Sequence, residues 1–344
     1  MKKSLSVLGA VVLGGLCGGC FAVSGGSDTE NFALAGHADS CLPAGKLWKL
    51  IWHDEFDGEE LDRTKWGFRL NFWGRRFPAY SEQGVEVKDG TLRLHLVKLP
   101  DGNFTSAQLQ TGSLTYDLPK DTPAKKFWPF GKMEKPRFMH RFGYYEIRCR
   151  LPKNPGWHAA FWLQAPGVGS HPDPRYCGVE VDVMETYLLD KDKIVGGPIW
   201  GGYGRDNRRS GHFWWDHHET PDSWHRYGVH WHPAGYDFYI DGKLVGRTTP
   251  DPAKVAPQRD KDGNLCGGTL LGPVSAVEQF ILVTTECHGY RQGNSPEAIL
   301  LEAKLPDYFE VDYVRVFDDV DLPANPEVMK FIDPSEKDGN FNAF

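Results

Sequence analysis

From Leu50 onward the chain consists of short runs in which apolar and polar positions alternate, separated by turn residues, with no sustained helical period. Val85-Glu86-Val87 and Thr91 to Val97 flank Lys88-Asp89-Gly90, and Tyr236 to Ile240 and Lys243 to Thr248 flank Asp241-Gly242. Both are hairpin signals. No repeat at a spacing of about 20–50 residues points to a propeller or solenoid. The pattern predicts an all-β sandwich. One run stands apart from the rest. Gly178 to Thr186 holds three carboxylates, Glu180, Asp182 and Glu185, separated by Val181, Val183 and Met184. That is strand composition. Side chains alternate along a strand, so Glu180 and Asp182 share one face while Val181 and Val183 take the other. Glu185 falls out of phase, and a β-bulge near Val183-Met184 would return it to the face of the other two acids.

Three acids on one face of a kinked strand suit glycosidic bond hydrolysis with retention, which uses two carboxyl groups about 5–5.5 Å apart. One attacks the sugar carbon; the other protonates the leaving oxygen and later activates water. A third acid between them makes full ionisation costly and keeps a proton within the group, which titrates as a unit. On spacing alone, a solvated strand face and a calcium site remain as alternatives.

The 344 residues suffice for one large domain, and a net charge of −7 argues against a nucleic-acid or anionic-membrane surface. With 12 Trp, 13 Tyr and 20 Phe, rings are available beyond the needs of a core, and sugars stack on rings. Lys2-Lys3 followed by an apolar, Gly-rich run predicts a secretory signal over residues 1–20. Its end, Leu16-Cys17-Gly18-Gly19-Cys20, resembles a bacterial lipoprotein cleavage site with Cys20 as the lipidated residue. Residues 21–46 read as a linker or tether, 47–318 as the catalytic domain and 319–344 as a polar tail. The localisation expected is export, either lipid-anchored at the cell surface or periplasm, or secreted. The protein is expected to act as a monomer and to meet membrane only through that anchor. Cys41, Cys149, Cys177, Cys266 and Cys287 are odd in number, so pairing is at most partial.

Glu180-Val181-Asp182-Val183-Met184-Glu185 resembles the bulged E-x-D-x-x-E signature of glycoside hydrolase family 16, in its laminarinase-like and agarase-like form. Further runs resemble that family in family order: Trp52 to Gly58, Phe104 to Ala107, Phe142 to Arg148 with Leu151-Pro152, His225 to Trp231, and Val311 to Val316. The resemblance spans about Leu50 to Phe317. It implies a β-sandwich jelly roll of two curved antiparallel sheets with a concave substrate cleft. It also implies Glu180 as nucleophile, Asp182 as assisting acid and Glu185 as acid/base. Gly156-Trp157-His158-Ala159-Ala160-Phe161-Trp162-Leu163 departs from the family's G-x-W-P-A-F-W-L, with His158 at the first Trp position and Ala159 at the Pro. The implied sugar contacts are Trp157, His158, Trp162, Trp200 and Tyr203, with Asn71 and Arg75 on an early loop. Trp215 joins them from the aromatic and basic run Arg205 to His218, and Glu286 from an unusually polar strand. Asp117 to Arg141 reads as an inserted loop. The resemblance further implies a structural calcium held by Glu55, Gly90 and Asp312, and no cofactor for catalysis.

The function this implies is a retaining endo-β-glycosidase acting on a β-1,3-glucan, a β-galactan or a poly-N-acetyllactosamine-type glycan. A transglycosylase on the same fold and a non-catalytic carbohydrate-binding surface lipoprotein are the alternatives; retention of all three acids favours the enzyme.

Overall fold

The computed structural model describes residues 28–70, 78–113, 135–169, 171–187, 190–202, 207–216, 223–291 and 295–322. The expected signal segment with Cys20, the contacts Asn71, Arg75 and Tyr203, most of the insertion and most of the tail lie outside the described residues.

The alternation seen in the sequence resolves into two large sheets, one of ten strands and one of eight. The eight-stranded sheet runs Arg208–Arg209, Asp190–Trp200, Glu180–Tyr187, Trp157–Gln164, Phe280–Cys287, Gln108–Gln110, Gly67–Phe68, with Phe213–Asp216 also beside Asp190–Trp200. The ten-stranded sheet centres on His225–His232, Gly143–Arg150 and the long strand Tyr308–Asp319. Pairing is antiparallel, apart from the short parallel contact of Lys243–Thr249 with Leu265–Leu271. Both predicted hairpins are present. Asp89 and Gly90 have φ of 54° and 72°, and Asp241 and Gly242 have 48° and 78°. Two successive positive values are the turn geometry that matches strand twist, and glycine takes the second position without steric cost.

The faces between the sheets form the main core. Phe161, Leu163, Val181, Val183, Ile281 and Val283 from one sheet meet Tyr145, Ile147, Val229, Trp231, Val314 and Val316 from the other, all at most 2 % exposed. This is the layered arrangement of a jelly roll, as expected.

Most of the stretch expected as a linker, from residue 28 onward, is instead folded. Thr29–Phe32 and Ser40–Pro43 pair as a hairpin. It lies on the outer face of the ten-stranded sheet, where Leu42, Trp48, Tyr144, Tyr239 and Phe317 form a separate apolar cluster with Phe32 packed against it. Polar contacts fasten it: Arg226 Nε donates to Asp39 O at 2.7 Å, Arg315 Nη1 to Ala38 O at 2.8 Å, and Cys41 N to Glu146 Oε2 at 3.0 Å. Its Gly, Ser and Ala content reads as tether because the apolar residues that seat it are few and widely spaced. The closing strand likewise runs one residue beyond the expected boundary, to Asp319.

Candidate active site

The acid strand, Glu180–Tyr187, lies inside the eight-stranded sheet and carries a bulge at its middle. Against Trp157–Gln164, Asp182 stands opposite Trp162 and Met184 opposite Phe161, which leaves Val183 without a register partner on that side. Against Asp190–Trp200, Asp182 faces Gly197 and Glu185 faces Val195, so two residues oppose Gly196 alone. Val183 and Met184 both turn into the intersheet core, at 2 % and 0 % exposure. Glu185 thereby returns to the face of Glu180 and Asp182. Gly196 is required here: a Cβ would lie 2.9 Å from Asp182 O and 2.8 Å from the Trp215 ring.

The three acids sit in different surroundings. Glu180 is buried, and Gln164 Nε2 donates to its Oε2 at 2.9 Å. Gln164 Oε1 in turn accepts from Arg69 Nη1 at 2.9 Å, and the buried Arg69 guanidinium lies 5.8 Å from the Trp162 ring. This relay serves an anion better than an acid and fixes the carboxylate's orientation. Asp182 is 3 % exposed between its two glutamates. Glu185 keeps 21 % of its side chain exposed, and His158 Nε2 lies 3.8 Å from its Oε1. Its cross-strand neighbour is the small Ala160, which leaves room above it.

Strand parity sorts the expected sugar contacts. His158, Trp162 and Glu286 share the acids' face, with Glu286 directly opposite His158. Trp162 is steadied by Nε1 donation to Thr284 Oγ1 at 2.9 Å. Three other tryptophans are placed elsewhere. Trp157 is out of phase with that face, 3 % exposed, and its Nε1 donates to Asp307. Trp200 packs on the intersheet core, because its neighbour Ile199 takes the position opposite Glu180. Trp215 is 6 % exposed, stacked on Phe213 within that core, and donates to Val245 O. Its neighbour Trp214 stands opposite Val195 and so falls on the acids' face. Sequence reasoning singled out Trp215 rather than Trp214 from the run Arg205 to His218, and missed Gln164 and Arg69. The signal for Gln164 was present, since it lies two residues beyond Trp162 on one strand; Arg69 needed the pairing of its strand with Gln108–Gln110.

The calcium set does not fit a dication. Burial opposes ionisation of Glu55, yet Arg315 (2.9 and 2.7 Å) and His53 (3.1 Å) hold its carboxyl below the usual range. Arg148 lies 2.6 Å from Asp312, and Gly90 belongs to the tight turn. Each carboxylate already has an arginine. Among the described residues, one group, His230, His232 and Asp237, has ligand atoms within 4.8 Å of one another and could coordinate a metal ion. The five described cysteines are unpaired with one another; Cys177, beside the acid strand, has its thiol pushed up by burial.

A two-sheet sandwich that lines up three carboxylates and a tryptophan on one strand-built face has the layout that carbohydrate hydrolases use. The glycosyl hydrolases family 16 profile matches residues 79–262, over half of the 344, and the chain belongs to that family. It is 26 % identical over 302 residues to glucan endo-1,3-beta-glucosidase A1 of Niallia circulans, covering 85 % of this chain but only 40 % of that relative. To beta-porphyranase E of Zobellia galactanivorans it is 25 % identical over 300 residues, covering 80 % of this chain and 89 % of the relative. Its fold resembles the catalytic domain of an endo-1,3-beta-glucanase (laminarinase) from Thermotoga petrophila, with a TM-score of 0.54 and 20 % identity over 80 % of this chain and 99 % of that one.

Proposed function

We propose that this protein is an endo-acting, retaining β-glycosidase. Glu180 attacks the anomeric carbon, and Glu185 gives its proton to the departing glycosidic oxygen. Glu185 then takes a proton from water as that water displaces Glu180. Asp182, between them, keeps the group's proton shared rather than lost. The observation that carries this reading is the bulge, which puts Glu185 on the face of a Glu180 already held by Gln164. Same-face positions on a strand are about 7 Å apart, so Glu180 and Glu185 have backbones roughly 13 Å apart. Two glutamates leaning together can close most of that span, toward the about 5–5.5 Å that retention uses. The unequal settings, one carboxylate bonded and buried and the other more open, suit the two roles.

The substrate class proposed is a neutral or lightly charged β-linked glucan or galactan. Relatives named for β-1,3-glucan and for porphyran support both, and the net charge of −7 favours the less anionic polymers. The test is reducing-end release from laminarin, lichenan, agarose, porphyran, carrageenan and mucin O-glycans, with Glu180→Gln in parallel and product anomers followed by NMR. The expectation is one polymer cut by wild type alone, with the β-anomer appearing first. A polymer bound but not cut, or cut equally by the variant, refutes the proposal. We also infer export with Cys20 lipidated; palmitate labelling should be lost in Cys20→Ala, and equal labelling of the two refutes the lipid anchor.

A further inference from the structure

His158 stands where three strands meet on the acids' face. Glu286 is its register partner on Phe280–Cys287. Ala160, the next same-face residue on its own strand, stands opposite Glu185 on the acid strand. His158 Nε2 is 3.8 Å from Glu185 Oε1, and the His158 side chain is 5 % exposed against 21 % for Glu185. The His288 ring, from the short turn His288–Arg291, lies 4.3 Å away between centroids. The titratable groups beside the imidazole thus include Glu185, Glu286 and His288, from three different elements. A buried imidazole 3.8 Å from one carboxylate, with a second acid at the register position beside it, is placed to meet the charge of Glu185 rather than to offer an apolar ring to a sugar.

We infer that His158 is a positioning residue that steers Glu185 and its proton; this rests on the reading of Glu185 as acid/base. In the first half-reaction the Glu180 carboxylate forms a bond to the anomeric carbon while the glycosidic C–O bond breaks. The leaving oxygen takes the proton of Glu185, which becomes an anion beside His158. The imidazole N–H side then favours that anion. In the second half-reaction water attacks the anomeric carbon, the Glu180 ester bond breaks, and the water proton passes to Glu185. Both residues finish as they began, and no further reactant is needed. A separation of 3.8 Å is slightly beyond hydrogen-bond length, so a small swing of the more exposed Glu185 makes or releases the contact.

His158→Gln keeps a donor of similar reach but removes the titrating ring. The expected result is a basic limb of the kcat/KM profile displaced upward by about one pH unit, because an opposite charge within this distance lowers a carboxyl pKa by at least that amount. A folded variant whose limb stays in place, at whatever activity, overturns the inference and leaves His158 as packing. A reciprocal measurement needs no change at His158. By linkage, the midpoint of the His158 ring, followed by NMR of histidine-labelled protein, falls by a similar amount in Glu185→Gln. An unmoved midpoint overturns the inference even if His158→Gln does not fold. If Glu185→Gln still cuts polymer at the wild-type rate, the acid/base reading is what fails, and the ring midpoint separates that case from failure of the coupling.

Discussion

Replacing Gln164 by leucine isolates the contribution of the relay behind Glu180. Gln164 is fully buried, so leucine of nearly the same volume fills its space. What the nucleophile loses is one hydrogen bond to its carboxylate, at 2.9 Å. Such a bond is worth about 1.5–3 kcal/mol. If all of it holds the nucleophile in line, kcat/KM falls on the order of 10- to 150-fold. The loss should appear in kcat with KM little changed, because Gln164 holds the enzyme's own carboxylate. Arg69 Nη1 loses its acceptor at the same time, which costs stability by about 1–3 kcal/mol. The assay is initial-rate reducing-end release over a range of polymer concentrations, with a urea unfolding curve for each protein. Gln164→Asn, an amide one methylene short, should lie between the two. A folded leucine variant within twofold of wild type, or one impaired only in KM, would show that Gln164 does not orient Glu180.

Two further outcomes follow from the far side of the molecule. Arg315→Leu strands the buried Glu55 and removes the donors to Ala38 O and Ser40 Oγ, so stability should drop by about 3–5 kcal/mol in urea, whereas EDTA should leave the wild-type Tm unchanged; a Tm that falls with EDTA and returns with calcium would contradict the arginine-filled site. Burial works against ionisation of Asp319, but His230 at 3.1 Å and Lys46 at 2.6 Å outweigh it and hold the carboxyl at about 2, against 3.8 when unfolded. That stabilisation is complete above pH 3.8 and disappears as pH falls through about 2, so Asp319→Asn should lose roughly 2.5 kcal/mol at pH 7 and converge on wild type near pH 2 in denaturant titrations; a difference that persists at pH 2 would point to another cause.

Much of this molecule can be read directly from the chain where local rules are strong. Asp-Gly turns announce their hairpins, and the odd spacing of Glu185 announces its bulge, because period-two alternation leaves a buried strand no other way to keep Val183 and Met184 inside. The sugar contacts were less legible. Trp157, Trp200 and Trp215 look like platforms by residue type, but the face each occupies depends on register with a neighbouring strand, and one step along the strand exchanges Trp215 for Trp214. Arg69 and Gln164 come from segments 95 residues apart and meet only after the sheet has formed. The hairpin at Thr29–Pro43 was hidden for a different reason: the apolar residues that seat it are few, and the rest of its fastening is backbone groups meeting Arg226, Arg315 and Glu146, which leave no mark on composition.

That hairpin also decides which way the molecule faces. It is fastened to the outer face of the ten-stranded sheet, so Asp28 stands with the whole thickness of the sandwich between it and Glu185. A partner that gripped this hairpin would therefore leave the three acids uncovered on the opposite side of the molecule.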